Sequence, residues 1–115
     1  SAEKICKFVK KRFNRIIGVI ITDTFGRPWR LGQLNVAIGL SRVPATIDQS
    51  GKFDNSGRKL RVTEPAFADE IAAASGLVIK KDSNTPVVII KGLKWKPTNS
   101  KIDDLIRKIE EDMFR

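Results

Sequence analysis

One short segment of the chain combines residue types that bind metal ions and phosphate groups. Asp23 and Thr24 are adjacent, and a carboxylate beside a hydroxyl supplies two hard oxygens of the kind that magnesium or manganese prefers. Arg27 and Arg30 follow closely, and their guanidinium groups match the oxygens of phosphate or carboxylate. The segment predicts a metal–phosphate site. The simpler alternative is that Asp23 forms a turn or caps a helix while both arginines are solvated surface residues.

The residue types that the chain lacks narrow the possible chemistry. It contains no histidine and a single cysteine, Cys6. Histidine-based acid–base catalysis, histidine-ligated zinc, a thiolate metal cluster and an internal disulfide are therefore excluded within this chain. Any metal must be a hard ion held by oxygen ligands. The net charge of +9 favours an anionic partner, which leaves a nucleotide, an acidic substrate and a nucleic acid open.

The elements around Asp23 decide where its carboxylate lies. Residues 16–21 form a continuous apolar, β-branched run, which predicts a strand buried on both faces. A loop containing Gly26, Pro28 and Gly32 is expected after it, and the alternation over residues 34–40 predicts a half-buried strand. Ligands of open α/β sheets bind outside the carboxyl ends of strands. This arrangement would place Asp23 immediately after a buried strand.

Three helices are predicted from apolar spacing and end signals. The first covers residues 2–14, with Ile5, Phe8, Val9 and Arg12 or Phe13 along one face. The second is Ala-rich and lies between Thr63 as its N-cap and Gly76 as its stop. The third follows a capping box at Ser100–Asp103, and its apolar stripe consists of Ile102, Leu105, Ile106, Ile109 and Met113.

The remaining segments complete an α+β fold. A tight turn is expected at residues 54–57, a short strand at Leu60 and Val62, and a buried strand at residues 87–90. We therefore predict a mixed sheet packed with three helices, with residues 1–115 forming one domain or a fragment. No apolar run reaches the roughly 20 residues of a membrane span, and no signal peptide opens the chain, so a cytoplasmic location without membrane contact is expected.

Three longer blocks of sequence carry a family resemblance. They are TDTFGRPWRLGQLNVAIG at residues 22–39, GRKLRVTEPAFADEIAAASGLV at residues 57–78 and PVVIIKGL at residues 86–93. In this order they resemble the coenzyme F-420-0:L-glutamate ligases, also called F420-0:gamma-glutamyl ligases. The blocks cover most of residues 18–93, which makes the resemblance far more specific than a single short motif.

The resemblance implies a GTP-dependent ligase that uses manganese or magnesium. Such an enzyme joins the amine of L-glutamate to the lactyl carboxylate of a deazaflavin cofactor precursor, and then adds a second glutamate in γ-linkage. The carboxylate is first phosphorylated and the incoming amine then displaces the phosphate. A homodimer is also expected from the resemblance, as part of a larger two-part ligase fold.

The resemblance also assigns roles to particular residues. Asp23 and Thr24 match the family's metal-ligand pair, and Asp23, Arg27 and Arg30 become the candidate catalytic residues. The nucleotide-contacting loop corresponds to Ile79, Lys80, Lys81, Asp82, Ser83, Asn84 and Thr85. The family usually has Gly followed by Gln or Lys in this loop, and the Gln form contributes to metal binding. Here Lys80 and Lys81 replace them, and a protonated lysine contacts phosphate but does not ligate a metal.

The resemblance covers only part of the family's length. Family members are about twice as long, and their N-terminal half supplies further nucleotide contacts and another metal-binding Asp. We therefore expect the chain to correspond to the C-terminal half, either as a fragment or with the N-terminal half on a separate chain. Alone, this chain is expected to lack a complete site. One alternative is a non-catalytic anion- or nucleotide-binding interaction module. Nucleic-acid binding is disfavoured because the sequence lacks a recognised motif and interleaved aromatic residues.

Overall fold

The computed structural model describes residues 1–61, 63–80, 82 and 84–113. Its elements, in chain order, are helix α1 (Ala2–Phe13), strand β1 (Val19–Arg27), strand β2 (Arg30–Ser41), helix α2 (Phe67–Ser75) and two 3-10 helices at Ile102–Leu105 and Ile109–Glu111. The predicted α+β class is confirmed. In the described residues the sheet is a single antiparallel pair rather than a mixed sheet.

Strands β1 and β2 form one long hairpin, and this changes the predicted position of Asp23. The segment expected to be a loop continues β1 as far as Arg27, so Asp23 lies inside a strand and pairs with Val36. The chain reverses at Pro28 and Trp29, where Trp29 adopts a φ of 56°. The first half of β1 is half-buried and its last five residues are exposed, so it is not a strand buried on both faces.

A β-bulge interrupts the hairpin just before Asp23. Ile21 pairs with Gly39, whereas the next residue, Thr22, pairs with Ala37, so Ile38 is the extra residue on β2. Bulges bend a strand and redirect the side chains that follow. The strand predicted for residues 34–40 is confirmed, but β2 begins earlier, at Arg30.

A small alanine-rich core joins α2 to the hairpin. Ala68 and Ala72 of α2 are fully buried against Ala37 of β2. Ile20, Leu40, Ile102 and Leu105 pack around this centre. Because the three alanines have short side chains, the helix and the strand can approach each other closely.

The face of α1 that is buried differs from the predicted one. Ile5, Phe8 and Phe13 are exposed, whereas Ala2 and Cys6 face the protein. The Cys6 thiol lies 3.5 Å from the carbonyl oxygen of Ile17, which places Cys6 in the core rather than at a reactive site. The predicted helix itself is confirmed and ends at Phe13, followed by the C-cap Asn14 in a left-handed conformation.

Helix α2 begins later than predicted. Its N-cap is Ala66, because residues 63–65 run alongside residues 45–49 instead. The carbonyl oxygens of Thr63 and Pro65 accept hydrogen bonds from the amides of Gln49 and Ile47 at 2.8 and 3.0 Å. The predicted end of the helix at Gly76 is confirmed.

The prediction of one continuous third helix is wrong. The structure has the two short 3-10 helices separated by extended residues, with Ile106, Ile109 and Met113 exposed. Only the first turn contacts the alanine-rich core, and a helix without a buried face gains little stability in water. The bond expected for the capping box is made by Asp104, whose carboxylate accepts the Lys101 amide at 2.8 Å, rather than by Asp103.

The strand predicted at residues 87–90 is absent from the structure, and the one predicted at Leu60 and Val62 lies only partly within the described residues. Residues 87–90 have no ladder partner in the part of the chain that the structure describes, and Val87 and Ile89 are 70% and 78% exposed. A β-prone run forms a strand only when a neighbour satisfies its backbone, and the two-stranded hairpin offers none here. Leu60 lies outside the named strands, and Val62 falls outside the described residues. The turn at residues 54–57 is confirmed by a hydrogen bond from the Gly57 amide to the Asp54 carbonyl.

The chain exposes more surface than a closed domain of its size. Its accessible surface is 9870 Å², whereas a folded monomer of this mass has about 6,300 Å². The radius of gyration is 16.0 Å, against about 13 Å for a compact domain. Both values fit a partial domain of a larger fold. Among the described helices none has the length and apolar character needed to cross a membrane.

Replacing Ala72 with leucine tests the close approach of α2 to β2. Because Ala72 is fully buried against Ala37, the added atoms must displace the strand, and we expect the free energy of unfolding to fall by about 1–2 kcal/mol. Ala74→Leu is the matched control, since Ala74 is exposed on the same helix. Chemical denaturation measures both variants. Equal effects from the two substitutions would contradict this packing.

Candidate functional site: the hairpin around Asp23

Asp23 and Thr24 occupy consecutive positions on the exposed half of β1. Successive strand residues point to opposite faces of a sheet, so the carboxylate and the hydroxyl lie on different faces. The Asp23 carboxylate turns back onto the main chain, where its Oδ1 atom accepts the Thr24 amide at 2.7 Å. That bond engages Oδ1 and orients the carboxylate.

The donors available at this position suit a hard divalent cation. The hairpin offers the carboxylate, the hydroxyl and backbone carbonyl oxygens, which is the ligand chemistry of magnesium and manganese. These ions take six or so ligands. In the part of the chain that the structure describes, no group of three or more acidic, histidine or cysteine side chains gathers at one point. Asp23 and Thr24 can therefore supply only part of a coordination shell.

The end of α2 approaches the face of the hairpin that carries Thr24. Thr24 pairs with Asn35, and a Cβ atom added at Gly76 would lie 3.2 Å from the Asn35 side-chain nitrogen. Gly76 caps α2, and the segment predicted to contact the nucleotide begins three residues later. Its first residue, Ile79, donates its amide to the Ser75 carbonyl at 3.0 Å. The fold thus starts this loop beside the partner of Thr24.

The rest of the predicted nucleotide loop continues on the surface. Lys80, Asp82 and Thr85 are exposed, and Asn84 adopts a positive φ of 47°. Lys81 and Ser83 lie outside the described residues. The described part of the loop therefore lies at the surface of the molecule.

Arg27 and Arg30 lie apart from Asp23, at the tip of the hairpin. They pair across the two strands, and the Arg27 guanidinium lies 3.5 Å from the Leu31 carbonyl oxygen. The backbone of Arg27 is four residues along the strand from Asp23, a distance of about 13 Å. The structure thus places Asn35 against the end of α2 on the face that carries Thr24, leaves the Asp23 carboxylate on the opposite face, and presents both arginines at an exposed end.

A second feature is an open groove of about 800 Å³ lined by residues of α1, both strands and residues 98–102. Its basic lining residues are Lys7, Lys10, Arg42 and Lys101, and Ile21 and Ile38 form part of its apolar surface. At its rim the Lys7 ammonium contacts the Glu3 carboxylate at 2.7 Å. This hydrogen bond, helped by the attraction between the two opposite charges, lowers the pKa of Glu3 and raises that of Lys7. The groove has the charge expected of an anion-binding surface.

Sequence reasoning missed two residues next to the candidate site. Asn35 contacts the end of α2, and the Asp69 carboxylate of α2 accepts the backbone amide of Ala37 at 2.9 Å. Asp69 is adjacent to Glu70 in the sequence, and this spacing does not indicate that the two carboxylates act together in acid–base catalysis. The sequence signal that could have identified Asp69 is its position directly after Ala68 on the alanine face of α2. That position brings the Asp69 carboxylate close to the strand that the helix covers.

Comparison with known proteins identifies similar sequences along the whole chain. Residues 1–92 match the family described as F420-0:Gamma-glutamyl ligase. The chain is 47% identical over 116 residues to the coenzyme F420:L-glutamate ligase of Methanocaldococcus jannaschii, with all of this chain and 47% of that protein covered. It is 42% identical over 118 residues to the enzyme of the same name from Methanothermobacter thermautotrophicus, again with 100% and 47% covered.

A relative with lower identity gives the same picture. The coenzyme F420:L-glutamate ligase of Methanopyrus kandleri is 40% identical over 120 residues, which cover all of this chain and 48% of that protein. The chain therefore spans about half the length of the curated relatives it matches.

Proposed function

The chain belongs to the F420-0:gamma-glutamyl ligase family, and from this membership we propose that it forms one half of a ligase that joins L-glutamate to F420-0. The observation that carries the proposal is the 47% identity to a named ligase along the entire chain. We further propose that GTP drives the reaction and that manganese or magnesium assists it. The placement as the C-terminal half of the fold is part of the same proposal.

In this proposal the residues of the hairpin and those of the loop have different roles in the reaction. The Asp23 carboxylate and an oxygen of Thr24 would hold the divalent ion, and the ion would supply positive charge that offsets the phosphate charge repelling the substrate carboxylate. The loop at residues 79–85 contacts the nucleotide. Arg27 and Arg30 stabilise the phosphoryl group as it passes to the substrate carboxylate. The amine of L-glutamate then attacks the acyl phosphate, and phosphate leaves as the amide bond forms.

For these roles, Arg27 and Arg30 must lie closer to Asp23 than they do in this structure. Both lie at the exposed tip of a hairpin, where contact with a second element can bend the strands or recruit the side chains. We propose that the other half of the ligase provides that contact, together with further nucleotide ligands and a second acidic metal ligand. The exposed aromatic and aliphatic residues at the tip support this, with Trp29 86% and Leu31 100% exposed.

The apolar segment at residues 87–90 supports the same arrangement. Its β-branched residues are exposed and its backbone has no ladder partner among the described residues. We propose that this segment becomes a strand when the other half supplies a sheet edge beside it. The homodimer expected from the family would bury further surface of this kind.

A second candidate function is a non-catalytic module that binds anions or nucleotides. The groove lined by Lys7, Lys10, Arg42 and Lys101 favours it, because a cluster of cations around an open apolar floor attracts anionic ligands without any metal. In that case the chain would bind GTP equally well with and without manganese.

Titration calorimetry with GTP and manganese, with and without the second half of the ligase, separates the two functions. The second half can be supplied from the M. jannaschii relative if the protein's own is not identified. We expect binding with both halves to be at least about tenfold tighter than with this chain alone, because the coordination shell is then complete. Equal GTP affinity for this chain alone, independent of manganese, would favour the non-catalytic module.

A further inference from the structure

An unusual hydrogen bond links α2 to the strand pair beside Asp23. The Ala37 amide, on a central position of β2, donates to the Oδ1 atom of Asp69 at 2.9 Å. Ala37 is buried, and Asp69 is half-buried on the first turn of α2. A buried amide without an acceptor is costly, so the Asp69 carboxylate stabilises this strand conformation.

This bond lies at the point where the register of the hairpin changes. Ala37 is the first paired residue after the bulge at Ile38, and its partner Thr22 directly precedes Asp23. A shift of one residue in strand register transfers every following side chain to the other face of the sheet. The register that the Asp69 bond favours is thus the one that aligns Asp23 with Val36.

The other end of α2 contacts the same strand. A Cβ atom at Gly76 would lie 3.2 Å from the Asn35 side-chain nitrogen, so the helix end and the strand are in close contact there. The loop at residues 79–85 follows directly. Helix α2 is therefore attached to β2 at both ends, with Asp23 and Thr24 on the paired strand and the predicted nucleotide loop leaving from its C-terminal end.

We infer that Asp69 is a positioning residue that sets the hairpin register and thereby aligns the Asp23 carboxylate for metal binding. The inference rests on the proposed role of Asp23 as a metal ligand. Asp69 itself does not touch the metal or the substrates. It acts through the Ala37 amide and the bulge, and it fixes the metal-binding strand to the helix that carries the nucleotide loop.

The test compares substitutions at Asp69 in the ligase with both halves present. Asp69→Ala removes the acceptor, and Asp69→Glu keeps the charge but moves the carboxylate by one methylene group. Asp69→Asn retains an acceptor oxygen at the same place. We expect the manganese dissociation constant, measured by electron paramagnetic resonance, to rise about 10- to 100-fold for the first two variants and to stay within about threefold for Asp69→Asn. Glu70→Ala, the exposed neighbour, should leave it unchanged.

The measurement is made at a temperature where circular dichroism shows each variant to be fully folded. If Asp69 only stabilised the fold, its folded variants would bind manganese normally, and that result would overturn the inference. Asp69→Glu provides the answer if Asp69→Ala does not fold. An Asp23→Asn variant in the same assay separates failure of the Asp69 positioning role from failure of the Asp23 metal role. If Asp23→Asn binds manganese weakly while Asp69→Ala and Asp69→Glu bind it normally, only the positioning role is refuted. If Asp23→Asn itself binds manganese normally, the metal role of Asp23 is refuted and the inference with it.

Discussion

We expect Asp23→Asn to reduce the rate of manganese-dependent ligation by at least about 100-fold in the proposed ligase with both halves present. Loss of an outer partner of a metal ligand already costs 10- to 100-fold in activity or affinity, as an order of magnitude, and loss of the ligand itself costs at least as much. Asparagine keeps the size of the side chain and an oxygen that can accept the Thr24 amide, so the local hydrogen bond at 2.7 Å is retained. The change isolates the negative charge that the divalent ion requires.

The measurement is the steady-state rate of glutamate addition to F420-0 as a function of manganese concentration. A higher manganese requirement together with a reduced maximal rate is the expected pattern. Asp103→Asn is the matched control, because Asp103 is an exposed aspartate on the 3-10 helix far along the chain from the hairpin. If Asp23→Asn retains the full rate at the same manganese concentration, Asp23 is not a metal ligand and the proposed site is wrong.

The sequence was most informative where local signals and local contacts coincide. The apolar spacing of residues 2–14 and the alanine-rich run before Gly76 are both helices in the structure, and the alternating residues 34–40 are a strand. In each case the segment meets its packing partner within the chain. Even so, the helix face that is buried was mispredicted for α1, because Ala2 and Cys6 are too small to dominate an apolar pattern.

Prediction failed where a segment depends on a partner that its own residues do not specify. The polar stretch after Ile21 reads as a loop, yet it forms β1 because β2 lies beside it and satisfies its backbone. The opposite error occurs at residues 87–90 and at the apolar stripe beyond Leu105, where strong β and helical patterns find too few neighbours in this chain. Propensity is a weak guide in both situations because burial and pairing decide the outcome.

The candidate site shows the same division between local and three-dimensional information. Residue chemistry and family resemblance were enough to select Asp23 and Thr24 as candidates. Asp69 and Asn35 could be found only from the structure, since they approach the hairpin from α2 and from the opposite strand. The bulge at Ile38, which sets which side chains share a face, has no marker such as glycine at the extra position.

A further consequence of the packing concerns Gly18, directly before β1. A Cβ atom there would overlap the Cγ2 atom of Val43 and lie 2.8 Å from the Trp95 ring. Neither neighbour can move easily. Val43 is only 2% exposed, and the Trp95 ring is held by a hydrogen bond from its Nε1 atom to the Arg42 carbonyl at 2.8 Å and by contact with the Phe67 ring.

Gly18→Ala is therefore expected to lower the free energy of unfolding by about 3 kcal/mol, at the upper end of the range for overpacked sites. The backbone of Gly18 is not in the left-handed region, so the cost comes from steric overlap alone. Gly26→Ala is the matched control: it places the same methyl group on β1 where no atom lies within 4 Å, and its effect should stay below about 0.5 kcal/mol. Denaturant unfolding of both variants and of Gly18→Ala combined with Val43→Ala tests the cause. If overlap with Val43 is responsible, the double variant loses less stability than the sum of the single variants by about 1 kcal/mol or more, whereas simple additivity would show that Val43 is not the obstacle.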